Sequence, residues 1–406
     1  MMMLCSERAF LSIPLLYTPR ASPSSLNPKG VFLIHSPAMA KPPFLPCLLF
    51  VASALLSTSC SAVPRKMVAF YELKKGDFSV KVTNWGAIIT SVVLPDSKGL
   101  RNLGDVVLGY DGLGPYLVRS ISLFSSLNLV QALIYATPAC DLSRETANPS
   151  DILSGHRGFS SVIWTVKEKV DGEFPYITLY YHSFDGEQGM YDIITISSKG
   201  FPGALDVFVT YEISAPYELS IAMCAKSLNK ATPVNLAQHS YWNLGGHGSG
   251  TILSNTVQIF ASKITPVDAN LIPTGAYMPV SGTPYDFLKP MTVGSRIDKV
   301  PPGYDINYVL DQPIGSNGMR KVAVVKDGDG SGRAFELWAN QPGVQFYTGN
   351  FLNDVKGKGG HIYGIHAGLC LETQGFPDSV NHPEFPSQIV NPGEDYKHNM
   401  LFKFSF

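Results

Sequence analysis

Apolar and polar side chains alternate with a period of two along much of this chain, the spacing of half-buried strands. In "ALDVFVTYEI", Leu205, Val207, Val209, Tyr211 and Ile213 share one face. Ala204, Asp206, Phe208, Thr210 and Glu212 share the other. "YELSIAMCAKSL" follows Pro216 as the next strand of a meander. "DFSVKVTNWGAIITSVVLPD" reads as two strands about a central turn, with a Pro-Asp stop. "MRKVAVVKDGDGSGRAFELWAN" is a hairpin around an Asp/Gly turn, and "KGFPGA" and "GYDGLGPY" are turns. A helical period is suggested only in "SISLFSSLNLVQALIY", residues 120–135. The pattern predicts an all-β protein, a large β-sandwich in a single domain over residues 67–406.

Composition supports that class. Of 406 residues, 45% are hydrophobic and 16% charged, enough to bury a sizeable core. Gly 37 and Pro 30 suit many strands joined by turns. A formal charge of −1 gives no electrostatic reason to expect nucleic acid or an anionic membrane as a partner. Of six cysteines, only Cys140, Cys224 and Cys370 lie beyond residue 66, so no disulfide framework and no CxxC metal pair is expected. Residues 1–66 read as a leader. Met39, Ala40 and Lys41 precede the apolar run "PFLPCLLFVASALL", and small residues follow it up to Ala62. That order matches a signal peptide, and the run is short for a membrane span. Secretion is the expectation, with a cytosolic start at Met67 as the alternative.

Three stretches set uncommon polar residues among apolar ones. "AQHSYWNLGG" holds His239, Tyr241, Trp242 and Asn243; "PGYDINYVLD" holds Asp305; "HAGLCLETQGFPDSVNHPEFP" holds Glu372 at the end of a short apolar strand. A carboxylate there is disfavoured unless it is paired or used. Alone, His239 suits a satisfied core histidine as well as a proton donor. Asp305 suits a turn cap, and the Tyr241–Trp242 pair suits either core packing or a stacking platform. His247 and His366 sit in glycine-rich surroundings that suggest solvated side chains. His361, His366 and His382 lack a recognised metal spacing.

Read in order, "TNWGAIITSVVLPDSKG", "DVVLGYDGL", "NLAQHSYWNL", "LIPTGAYMPVSGTPYDF", "QPGVQFYTGNFL", "GLCLETQGFPDSVNHPEFPS" and "NPGEDYKHNMLFKF" resemble the aldose 1-epimerase (galactose mutarotase) family. The resemblance covers residues 67–116 and 156–406. It implies a β-supersandwich with its site on a concave face, a monosaccharide substrate such as galactose or glucose, and a monomer or weak dimer. No metal or cofactor is implied. It makes His239 the general acid and Glu372 the general base, with Asp305 and Gln345 binding sugar hydroxyls. Opening a hemiacetal needs one acid and one base working near neutrality. The expectation is a cationic His239 that keeps a neighbouring Glu372 ionised.

Two stretches depart from the family pattern. After "GYDGL", members carry a block of the type GNxYFGxxxGRxANRI and then LHGG, which supply an asparagine–arginine pair and a second histidine to the sugar. Residues 117–155 contain neither; Leu153 stands where that histidine is expected, and His156 matches a position outside the role. The second departure is "MYDIITISSKG", residues 190–200, which interrupts the usual GEQGFPG run. Both read as splice or gene-model products that remove part of the sugar clamp and threaten core strands. The alternative function is therefore a carbohydrate-binding relative that has kept the cleft and lost turnover.

Overall fold

Nine antiparallel strands form the largest sheet of the computed structural model, which describes residues 67–117, 158–187, 190–191, 198–199 and 201–406. Their order is Met291–Thr292, Thr256–Ile259, Arg320–Lys326, Ala334–Ala339, Asp395–Ser405, Glu218–Ser227, Leu205–Ala215, Tyr176–Ser183 and Thr165–Val170. The alternating segment is strand Leu205–Ala215, with Leu205, Val207, Val209, Tyr211 and Ile213 all buried. It pairs with Glu218–Ser227, as the meander predicts. Arg320–Lys326 and Ala334–Ala339 form the expected hairpin. The leader with its signal-peptide reading, most of 117–155 and most of 190–200 lie outside the described residues.

A four-stranded sheet joins Phe70–Lys75, Phe78–Thr83, Ile88–Asp96 and Gly99–Asp105 in sequence order. Its apolar face packs on the large sheet: Phe78 meets Tyr217 and Phe404, and the Tyr211 hydroxyl donates to Ala87 O at 2.6 Å. A third sheet, of five strands, runs Met278–Pro279, Lys263–Ile264, Asp305–Val309, Gly343–Tyr347 and Cys370–Gln374. Residues from all three sheets meet in one continuous core, the arrangement of a sandwich. Among the described residues helix is confined to Gly114–Leu117 and short 3-10 turns, and none is long and apolar enough to cross a membrane. The "GYDGLGPY" turn thus runs into that short helix.

The chain on either side of the 190–200 stretch closes on itself. Gly186 N donates to Phe201 O at 2.9 Å and Phe201 N to Glu187 O at 3.1 Å. Beyond that contact Met190–Tyr191 pairs with Ser198–Lys199 as an antiparallel ladder. Strands Tyr176–Ser183 and Leu205–Ala215 keep continuous register across it. The two core strands that flank the added residues therefore stay in place.

Candidate active site

The five-stranded sheet has one face for the core and one for chemistry. Ile306, Tyr308, Val344, Phe346 and Leu371 point into the core, so their sequence neighbours point the other way. Register then decides who meets whom. Asn307 pairs with Gln345 and Gln345 with Glu372; Asp305 pairs with Tyr347 and Tyr347 with Cys370. Two rows of polar side chains thus cross three strands. Asp305 opens its strand and accepts from Gln345 Nε2 at 2.7 Å, so it is a partner on the sheet face and not a turn cap. Glu372 lies mid-strand, 3% exposed, not at the strand end that the sequence suggests.

His239 comes from a different segment, held over this face by backbone bonds. Trp242 exchanges N–H···O bonds of 2.8 and 2.9 Å with Leu369. Asn243 N donates to Val106 O at 2.9 Å and Leu108 N to Tyr241 O at 3.0 Å. The Trp242 side chain is buried against Phe335, Phe402 and Phe404, so it is core and not a platform. Tyr241 instead stacks on the His239 ring, 5.1 Å between centroids, while Tyr347 meets that ring edge-on at 6.0 Å. Asn243 is structural: its Nδ2 donates to Ala367 O and Gly250 O. The result puts His239 Nε2 3.4 Å from Glu372 Oε1.

Burial sets the electrostatics of the pair. It pushes His239 down to about 4 and Glu372 well above the usual carboxylate range, the Asp305 charge adding to the latter. Asp305 itself is pushed up to about 6 by burial, with the Gln345 amide pulling the other way. Desolvation thus opposes both charges of the expected pair, a cationic His239 beside an ionised Glu372. Their 3.4 Å contact works against both shifts, because each charge favours the other.

His247 and His366 are half-buried, each also held by a hydrogen bond within the protein. The Tyr363 hydroxyl bonds His247 Nδ1 at 2.9 Å, and His366 Nδ1 donates to Thr348 O at 2.8 Å. His382 bonds Pro273 O and Glu384, so His361, His366 and His382 form no cluster. Sequence reasoning passed over Cys370, which alternation along "CLETQ" puts on the face of Glu372. Behind the site His398, fully buried, donates from Nδ1 to Leu236 O at 2.9 Å and accepts from Thr373 Oγ1 at 2.7 Å. It ties the segment before His239 to the strand of Glu372.

The chain has counterparts among known proteins. The aldose 1-epimerase family model matches residues 69–403. Galactose mutarotase of Mus musculus is 38% identical over 348 residues, 82% of this chain and 93% of that protein. The Homo sapiens galactose mutarotase is 38% identical over 343 residues, with the same coverage. The aldose 1-epimerase of Escherichia coli K12 is 28% identical over 80% of this chain and 91% of its own. In structure, an aldose epimerase homologue from C. elegans superposes with a TM-score of 0.68 at 22% identity, covering 84% of this chain and 99% of its own. Galactose 1-epimerase of Lactobacillus acidophilus gives 0.61 at 20%, over 84% and 98%. These two share the fold. By sequence match over most of its length, the chain belongs to the aldose 1-epimerase family.

Proposed function

We infer that the chain is an isomerase that interconverts the α and β anomers of an aldohexose by opening and reclosing its ring, with His239 and Glu372 as the acid–base pair. The observation that carries this reading is the 3.4 Å approach of His239 Nε2 to Glu372 Oε1 across a buried face that also carries Asp305 and Gln345. Glu372 takes the proton of the C1 hydroxyl while His239 gives one to the ring oxygen, and the C1–O5 bond breaks. The aldehyde then turns about C1–C2. On reclosure Glu372 returns its proton to O1 and His239 takes the one on O5, now from the other face. Carboxylate with imidazolium, and carboxylic acid with imidazole, hold the same number of protons. The second form is the one the pair adopts when the sugar is open. Burial that disfavours both charges therefore lowers the open-chain stage relative to the closed one, levelling the path between them.

Asp305 holds sugar hydroxyls through charge-assisted bonds. Gln345 Oε1 is buried without a hydrogen-bond partner in the protein, and a sugar hydroxyl satisfies it. The name of the relatives makes galactose the first sugar to test, with glucose second. Polarimetry on freshly dissolved α-anomer reads the reaction directly. The wild type is expected to speed relaxation, and His239→Asn and Glu372→Gln each to slow it by about 10²–10⁴-fold. The missing clamp motifs in residues 117–155 favour a second reading, a sugar binder without turnover. Equal slow relaxation in all three proteins, with galactose still bound by titration, establishes that reading instead.

A further inference from the structure

Cys370 stands beside the acid–base pair without a part in the chemistry above. Alternation and register place it one step along the strand from Glu372 and opposite Tyr347, and it is fully buried. One donor atom from each of His239, Cys370 and Glu372 lies within 4.8 Å of the other two. Among the described residues it is the single grouping of three or more such donors. Donors of a tetrahedral zinc ion stand about 3.5 Å apart, given metal–ligand bonds of about 2.0–2.3 Å. The His239–Glu372 separation of 3.4 Å already matches, and the thiol needs to close by at most about 1.3 Å.

We propose that His239, Cys370 and Glu372 form a binding site for a divalent cation of the zinc class, and that its occupation blocks sugar turnover. The donor set selects the ion. Thiolate and imidazole prefer zinc, cobalt and copper to the oxygen-seeking magnesium and calcium. On binding, the thiol proton and any proton on the His239–Glu372 pair leave to buffer, and three protein ligands leave a fourth position for water. The ion ties up the imidazole nitrogen and the carboxylate that would otherwise trade protons with the sugar. The site itself stands on the placement of three donors. Only its effect on turnover rests on the epimerase reading.

Cobalt(II) is the probe, added to the full chain without a histidine tag. Wild type is expected to bind one equivalent with a near-ultraviolet thiolate-to-cobalt band and visible bands of a tetrahedral ion. Cys370→Ser is expected to lose the near-ultraviolet band, and His239→Asn to bind zinc at least about tenfold more weakly by equilibrium dialysis. Circular dichroism checks that both variants fold. Zinc is expected to stop sugar relaxation in the wild type, with recovery on adding EDTA. A wild-type cobalt complex without a thiolate band overturns the site even if a variant fails to fold. So does a band that persists in Cys370→Ser, which assigns the metal to another cysteine. If cobalt binds as described and no relaxation is catalysed in metal-free protein, the metal site holds and the epimerase reading fails.

Discussion

Asp305 accepts a 2.7 Å hydrogen bond from Gln345, yet burial still pushes it from an ordinary 3.8 up to about 6. A carboxyl group whose folded value is raised binds its proton more tightly in the native state than in the unfolded chain. Stability therefore falls as pH rises from about 4 through 6, and the whole penalty, at most about 3 kcal/mol, is present above that window. Asp305→Asn keeps an oxygen for Gln345 and carries no charge to bury. It is expected to raise the melting temperature of the sugar-free protein at pH 8, with the difference closing as pH falls toward 4, and to weaken galactose binding. A variant that melts below wild type at pH 8 contradicts the assignment. At this scale the sequence is informative only through motifs in order: His239, Asp305, Gln345 and Glu372 are each ambiguous alone. Cys370 escapes notice because a buried thiol between Leu369 and Leu371 reads as core. Its neighbours become visible only once three strands are in register.

Elements differ in how plainly they announce themselves. Leu205–Ala215 and Glu218–Ser227 are long enough for alternation to mark both strand and face. The five-stranded sheet that carries the site includes two strands of only two residues, Lys263–Ile264 and Met278–Pro279, too short to show any period. Its register comes from long-range pairing and from the corner before Asp305. There Tyr304 N donates to Thr348 Oγ1 at 3.0 Å, Thr348 N returns a 3.1 Å bond to Tyr304 O, and Asn350 Nδ2 donates to the same carbonyl at 3.0 Å. Gly303 enters this corner at φ +152°, and a Cβ on it would fall 2.0 Å from Asn350 Oδ1 and 2.8 Å from Thr348 Oγ1. Gly303→Ala must displace the side chains that hold Tyr304, and with them Asp305. The expected cost is about 2–4 kcal/mol in urea unfolding, together with weaker galactose binding. Unchanged stability would mean that the corner is not what sets the position of Asp305.

At the scale of the whole fold, segments far apart in sequence are tied together by the Lys358–Asp105 ion pair, next to the stretch that holds the segment after His239. Lys358, 8% exposed, donates from Nζ to Asp105 Oδ2 at 2.6 Å and to Val107 O at 2.7 Å. Asp105 Oδ1 in turn accepts from Val92 N and Val107 N. The same stretch, through Val106 and Leu108, carries the backbone bonds that hold the segment after His239. Burial pulls the Lys358 ammonium below its ordinary range and the Asp105 charge holds it up, so each partner makes the other tolerable. None of this is legible in a sequence where the two residues stand 253 positions apart. Removing the cation alone strands a part-buried carboxylate. Lys358→Met is expected to lose about 2–4 kcal/mol in urea unfolding, toward the lower end because the Asp105 side chain keeps 17% of its exposure. Adding Asp105→Asn to that variant discharges the stranded group while leaving an acceptor for the two backbone amides. The double variant is therefore expected to be more stable than Lys358→Met alone, a sign that simple additivity does not give. Losses that merely add would show that Asp105 is stabilised by its backbone donors and not by Lys358, and the hold on the segment after His239 would then lie in the backbone bonds alone.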